Sequence, residues 1–257
     1  MDLSLLAELG TTVVLLSALI AFLAGTIKGA VGFALPLIMI SGLSSIMAPP
    51  LALGAMLLPV LMTNALQTFR TGIGPAIREA RAVWRYILIV CLAIVIAAQF
   101  VTAIPTQTFY FILGVPVVIL SLVQLFGVKV VVPEARRGAA EWGVGLISGI
   151  LGGLAGTWGP TTVLYLIAIE TPKARQMIVQ GVIYGTGSVA LFLAHLQSGV
   201  LNGQTAPLSA LLLIPAGLGM GLGFWLQDRM DQDRFKQVTL IVLVVAGLNL
   251  IRKGLLG

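Results

Sequence analysis

The sequence predicts an all-α polytopic membrane protein made of two inverted repeats, each a Gly-rich re-entrant or broken helical hairpin followed by three transmembrane helices. Three observations carry this expectation. The 257-residue chain is 58% hydrophobic and only 9% charged, with a mean hydropathy of +1.07, too little charge to cover a water-soluble domain. Its apolar runs are long and are separated by short polar loops. Two Gly-rich segments of the chain are copies of one another.

Six apolar segments reach or approach the roughly 20 residues needed to cross ~30 Å of hydrocarbon: 51–69, 84–104, 108–127, 174–197, 207–226 and 237–252. The last is the shortest and has room to extend toward Phe235. Segments 11–46 and 142–170 fit less simply. As one helix, the 36 residues of 11–46 would be roughly 54 Å long, too long for one span and too short for two spans and a turn. Its centre holds Gly25, Gly29, Gly32 and Pro36. Glycine at this density weakens a helix, and Pro36 is placed to start a new one. The expectation is two half-length helices joined by an irregular tip. Segment 142–170, centred on Gly149, Gly152, Gly153, Gly156, Gly159 and Pro160, reads the same way.

A shift of 124 residues places Gly25, Gly29, Gly32 and Pro36 on Gly149, Gly153, Gly156 and Pro160 without a gap. Three spans follow in each half, which divides one membrane domain into repeats at 1–128 and 139–257. The basic residues choose their relative orientation. If each Gly-rich hairpin returns to its own side, each half crosses three times and the halves are inverted. One side then holds Arg70, Arg78, Arg81, Arg85, Lys129, Arg136, Arg137, Lys173, Arg175, Arg229, Arg234 and Lys236, and the other only Arg252 and Lys253, a division of 12 to 2 with Lys28 set aside. If each hairpin crosses once, the division is 9 to 5. The inverted arrangement satisfies the positive-inside rule better. It puts both termini outside the inner (plasma) membrane. Asp2 and Glu8, with no Lys or Arg in the first ten residues, lack the basic region of a cleaved signal peptide, so the first apolar segment is expected to stay.

Irregular backbone at membrane depth persists only where protein buries it or where it lines a wet cavity. The helices restarting at Pro36 and Pro160 would aim their N–H donors and partial positive charge at such a cavity, which favours an anion. Lys28 is the clearly intramembrane charge, costly unless paired or hydrated; it either faces an anion or snorkels to the surface. Its counterpart in the repeat is Gly152. The glycines either line the site, with Gly29, Gly32 and Phe33 in one tip and Gly153, Gly156, Thr157 and Trp158 in the other, or pack helices closely. Thr157 and Trp158 add a hydroxyl, an indole N–H and an aromatic wall. Asn64 and Gln67, with Thr63 beside them, share a helix face. Gln180, Tyr184 and Ser188 share another, and Asn64 corresponds to Ser188 under the shift. These groups either surround an oxyanion or hydrogen-bond neighbouring helices.

His195, near a helix end, is either a proton sensor or an interfacial residue. Cys91, the single cysteine, excludes an intrachain disulfide and reads as packing. No Asp or Glu lies deep in a span, Glu170 being nearest, which disfavours coupling through a buried acid. No Walker A, HExxH or GxSxG string is present, and no clustered nucleophile or metal site points to an enzyme. No cofactor or metal is called for. The expected partners are a small anionic substrate and membrane lipid, with a homodimer compatible with the chain. Nucleic acid is not a partner, since no soluble basic face exists.

At the paired Gly-rich strings, and at Asn64 and Gln67 on the following span, the whole chain resembles the TauE/SafE family, the sulfite exporter or toluene sulfonate uptake permease family. Phe33-Ala34-Leu35 and Thr157-Trp158-Gly159 replace part of the usual glycine run. The resemblance implies a transporter of sulfite or of an organosulfonate such as sulfoacetate; the residues by themselves support a small anion. The expected mechanism is alternating access around the two tips, with an anion channel or facilitator without ion coupling as the alternative.

Overall fold

The computed structural model describes residues 4–98, 106–128, 131–155, 158–197 and 199–256. Over these residues the chain is helical. In order the helices are α1 (Ser4–Val31), α2 (Leu35–Leu43), α3 (Pro49–Phe69), α4 (Ile73–Ala82), α5 (Trp84–Ala98), α6 (Thr106–Leu125), α7 (Arg137–Ala155), α8 (Gly159–Ala168), α9 (Lys173–Gln197), α10 (Thr205–Leu211), α11 (Leu213–Asp228) and α12 (Gln232–Leu256). A single 3-10 turn, Glu134–Arg136, precedes α7. Among the described residues, five helical stretches are long and apolar enough to cross a membrane, and six if the bent pair α4–α5 counts as one span. The protein is a multi-pass membrane protein.

The chain bends where sequence chemistry allows it. Gly32 (φ 87°) and Ala34 (φ 77°) both occupy the left-handed region between α1 and α2. Gly32 does so without steric penalty, whereas Ala34 carries a cost of about 1–2 kcal/mol. Pro36 then sits in the first turn of α2, where its missing N–H is no loss. Pro160 occupies the same place in α8.

The expected half-length pairs are corrected here. The first limb of each hairpin is long: α1 kinks at Gly10 and its membrane span is Leu9–Val31, 23 residues, and α7 has 19. Only the second limbs are short, 9 residues in α2 and 10 in α8. The reason is that most of the glycines do not break the helix. Gly25 and Gly29 lie inside α1 and let it touch α11 backbone to backbone: a methyl on Gly25 would strike the Ala216 carbonyl, and one on Gly29 would lie 2.8 Å from the Gly223 Cα. Gly219 and Gly223 answer from α11 against the Phe22 and Thr26 carbonyls. This is close packing of small residues spaced four apart. Gly149 performs the same service in α7, against Val90 and Ala93 of α5.

The segment expected at 84–104 is bent at its start, where α4 meets α5 at 80°; residues 99–105 lie outside the described residues. The segment expected at 237–252 is longer, α12 running from Gln232 to Leu256.

The principal helix pairs are α1 with α11, α5 with α7, α3 with α9, and α6 with α12. In the order of each half, the first helix of one half packs on the fifth element of the other, and the reverse. The third pairs with the third and the last with the last. α3 and α9 therefore run through the middle, and both short helices, α2 and α8, reach the space beside them. Buried apolar side chains form one large core around α8, α9 and α12 and a second around α1, α2, α3 and α10.

Candidate functional site

Both tips open into one cleft. It is narrow, with a cavity volume of ≈ 20 Å³, about that of one water molecule, and is lined by Lys28, Phe33, Ala34, Pro36, Leu37, Asn64, Trp158, Gly159, Pro160 and Tyr184. α2 and α8 thus present their first turns to the same space from opposite halves of the chain. Among the described residues, neither N-terminus has a side-chain cap. Their leading N–H groups keep the partial positive charge that a cap would offset.

Lys28 is in the last turn of α1 and is 2% exposed. Its Nζ donates to Asn64 Oδ1 at 2.6 Å and stands 5.5 Å from the centroid of the Tyr184 ring. Among the described residues it has no carboxylate partner within 4.0 Å. A buried ammonium held by one amide oxygen, an aromatic face and the C-terminal end of its own helix is solvated but not neutralised. The cleft beside it holds about one water here, so a larger counter-ion enters only as the tips part.

The other groups are held by the α3–α9 contact. Asn64 Nδ2 donates to the Tyr184 carbonyl at 3.1 Å, which points Oδ1 at Lys28. The Tyr184 hydroxyl donates to the Gly159 carbonyl at 3.0 Å, tying α9 to the start of α8. Trp158 meets Tyr184 edge to face, with ring centroids 6.3 Å apart. Behind the second tip, the Tyr86 hydroxyl lies 3.0 Å from both Ser148 Oγ and Thr162 Oγ1. Thr162 donates to the Trp158 carbonyl at 2.9 Å. This hydroxyl cluster fixes the turn that carries Trp158. It escaped sequence reading because its members are 14 to 76 residues apart and no spacing pattern joins them.

A TauE/SafE sequence model, described as Sulfite exporter TauE/SafE, matches residues 17–250. The chain belongs to the TauE/SafE family. No curated protein and no solved structure matches it. Membership implies transport of an anion, of the sulfite type, across a membrane, and the residues of this TauE/SafE chain can be sorted on that basis.

Lys28, Phe33, Asn64, Trp158 and Tyr184 line the cleft. Gly29 is spent on the contact with α11. Gly32 forms the turn, and a methyl there would collide with Met177 and with the side-chain oxygen of Gln180. Gln67 lies at the α3–α9 contact, and Gln180 faces the turn at Gly32; neither lines the cleft. Gln67 Nε2 donates to the Met177 carbonyl at 3.1 Å, whereas Gln67 Oε1 and both amide atoms of Gln180 are buried without a partner. Gln176, one turn before Gln180, also has a buried unpartnered Nε2; it was not singled out in the sequence, although its spacing from Gln180 puts it on the same face. Ser188 is away from the lining, donating to the Gly185 carbonyl at 2.8 Å. Gly153 is buried in α7. Gly156 and Thr157 lie outside the described residues. His195, in the last turn of α9, is not in the lining. Glu170 is exposed, while Glu79 is buried and paired with Arg175 at 2.9 Å. Among the described residues no cluster of His, Cys, Asp or Glu fits a metal ion.

Proposed function

We propose that this protein is a secondary transporter that carries a small anion, sulfite or an organosulfonate such as sulfoacetate, across the inner membrane by alternating access. The cleft of Lys28 is the anion site. The observation that carries this reading is a buried ammonium that, among the described residues, has no acidic partner and stands beside two helix N-termini with no side-chain cap. Each of these three features attracts an anion, and together they disfavour a cation. Oxyanions of sulfur suit the donors: the Lys28 ammonium, the leading N–H groups of α2 and α8, and the Trp158 indole if its ring turns toward the cleft.

The reading includes an inverted repeat of 1–128 and 139–257 with both termini outside. The exchange of helix partners between the halves supports it, since α1 on α11 repeats as α7 on α5. So does the basic rim at one end, which carries Arg70, Lys173 and Arg175. Alternating access then amounts to the joined pairs α1–α11 and α5–α7 moving against α3 and α9.

The test is ligand-induced thermal stabilisation of the purified protein by sulfite, sulfate, sulfoacetate, isethionate and taurine, repeated with Lys28→Met. Stabilisation by a sulfur oxyanion that vanishes in the variant is expected. Taurine, whose ammonium group would meet Lys28, is expected to stabilise least. Stabilisation unchanged by the substitution removes Lys28 from the site. Anion currents far above carrier turnover would instead favour a channel.

A further inference from the structure

Two rows of polar side chains flank the α3–α9 contact, which is made by Gly181 and Gly185 against Gln67 and Thr68; Asn64 and Gln67 bond the Tyr184 and Met177 carbonyls, and Gln180 faces the turn at Gly32. On α3 the row is Asn64, Gln67 and Arg70, each three residues from the last. On α9 it is Tyr184, Gln180, Gln176 and Lys173, spaced four, four and three, with Arg175 nearby at the same end but off this face. Spacings of three and four keep each row on one helix face. At one end the rows meet the cleft, through Asn64 and Tyr184. At the other they reach a basic rim about 9 Å farther along α3 and about 16 Å farther along α9.

Between these ends are the glutamines. Gln67 and Gln176 are 2% exposed and Gln180 is fully buried. Among the described residues, four of their six amide atoms have no partner. Buried amides without partners are uncommon in a folded protein, and an apolar side chain of the same size would fill the space without that penalty. Gly32 deepens the anomaly, because its lack of a side chain makes room for the Gln180 oxygen. The rim beyond is latched. Arg70 bonds Asp228 at 2.7 Å and Gln227 at 2.7 Å. Lys173 Nζ donates to the Gln227 carbonyl at 2.9 Å and to the Met230 carbonyl. Arg175 holds Glu79.

We propose that Gln67, Gln176 and Gln180 form the passage by which the anion moves between the Lys28 cleft and the basic rim, a second polar station closed off here by the latched rim. The proposal rests on the transporter reading. Uncharged amides suit a passage: the unpartnered Nε2 groups of Gln176 and Gln180 can replace water around an oxyanion, but without a charge they do not trap it. When the rim parts, Arg70, Lys173 and Arg175 lose their protein partners and draw anions to the mouth.

The experiment uses the full chain with Cys91→Ser and Gln180→Cys in sealed vesicles of defined orientation. Two membrane-impermeant thiol reagents are compared, anionic methanethiosulfonate ethylsulfonate and its cationic trimethylammonium analogue. The expected result is modification from the rim side, about ten-fold faster with the anionic reagent and slowed by sulfite. Modification only from the opposite side, a faster cationic reagent, or no modification from either side overturns the proposal. A second variant, Gln180→Leu, is expected to keep stabilisation by sulfite while its sulfite exchange rate falls at least ten-fold. Unchanged exchange overturns the passage, and lost stabilisation in a folded variant places Gln180 in the cleft site instead. Failure of the transporter reading is seen separately, as absence of anion stabilisation in the unsubstituted protein.

Discussion

The two tips share a backbone plan and differ in chemistry. The first, between α1 and α2, carries a buried charge in Lys28 and turns through two left-handed residues. The second, between α7 and α8, carries no charge at the matching position, Gly152, which packs against Trp158 and Ile94. Trp158 supplies an aromatic wall, and the cluster of Tyr86, Ser148 and Thr162 braces it. Both tips aim a short helix at the cleft. Both tips thus lend the cleft a helix N-terminus and its dipole, while the charge comes from one of them. A single charge keeps the site suited to a small anion, since a second lysine at the same depth would repel the first.

The comparison breaks most severely at the helix contacts beneath each tip. Gly29→Leu drives a side chain into the α11 backbone, which cannot yield as a side-chain tip can. Loss of monodisperse protein is expected, an effect at or above the ~1–3 kcal/mol typical of overpacking, read by size-exclusion chromatography. Gly221→Leu, on the open side of α11 with nothing within 4 Å, is expected to leave the elution profile unchanged.

The next largest effect separates the tips directly. Lys28→Met is expected to weaken sulfite binding by about 2–5 kcal/mol, the cost of removing one member of a buried charge pair, and so by thirty-fold or more in a titration calorimeter. Trp158→Leu removes the edge-to-face contact with Tyr184, worth about 0.5–1.5 kcal/mol. It is expected to weaken sulfite binding less than ten-fold. Equal losses in the two variants would contradict the division of labour.

Smaller still is Tyr86→Phe. It deletes one hydroxyl from the brace and is expected to destabilise the protein by roughly 0.5–1.5 kcal/mol in thermal unfolding, with sulfite affinity within two-fold. Arg234→Gln, at the exposed pair with Asp231, is expected to change stability by less than about 1 kcal/mol.

Much of the fold was legible because membrane helices announce themselves by length and hydropathy. The turn at Gly32 and the restart at Pro36 and Pro160 were legible because glycine and proline have few other uses in that order. Gly25 and Gly29 misled, since glycine serves a break and a close approach equally well, and only the partner helix α11 distinguishes them. The bend between α4 and α5 was missed because α4 is short and carries Arg78, Glu79 and Arg81, so it reads as loop. At the cleft, Lys28 stood out as a charge among apolar residues, and Asn64 and Tyr184 as polar groups on spans. That Asn64 would accept from Lys28 was invisible, because a 36-residue separation has no helical meaning. Gln176 was passed over since a glutamine near a helix start is ordinary until its burial is seen.

The central claim is that the anion sits between Lys28 and the starts of α2 and α8. The most direct test is anomalous diffraction from crystals soaked in selenite, which mimics sulfite and scatters strongly. The account predicts a selenium peak in the cleft, with a selenite oxygen within hydrogen-bonding distance of Lys28 Nζ, roughly 3 Å, and the peak absent from Lys28→Met crystals. A peak elsewhere in the membrane region, or the same peak in the variant, would contradict it.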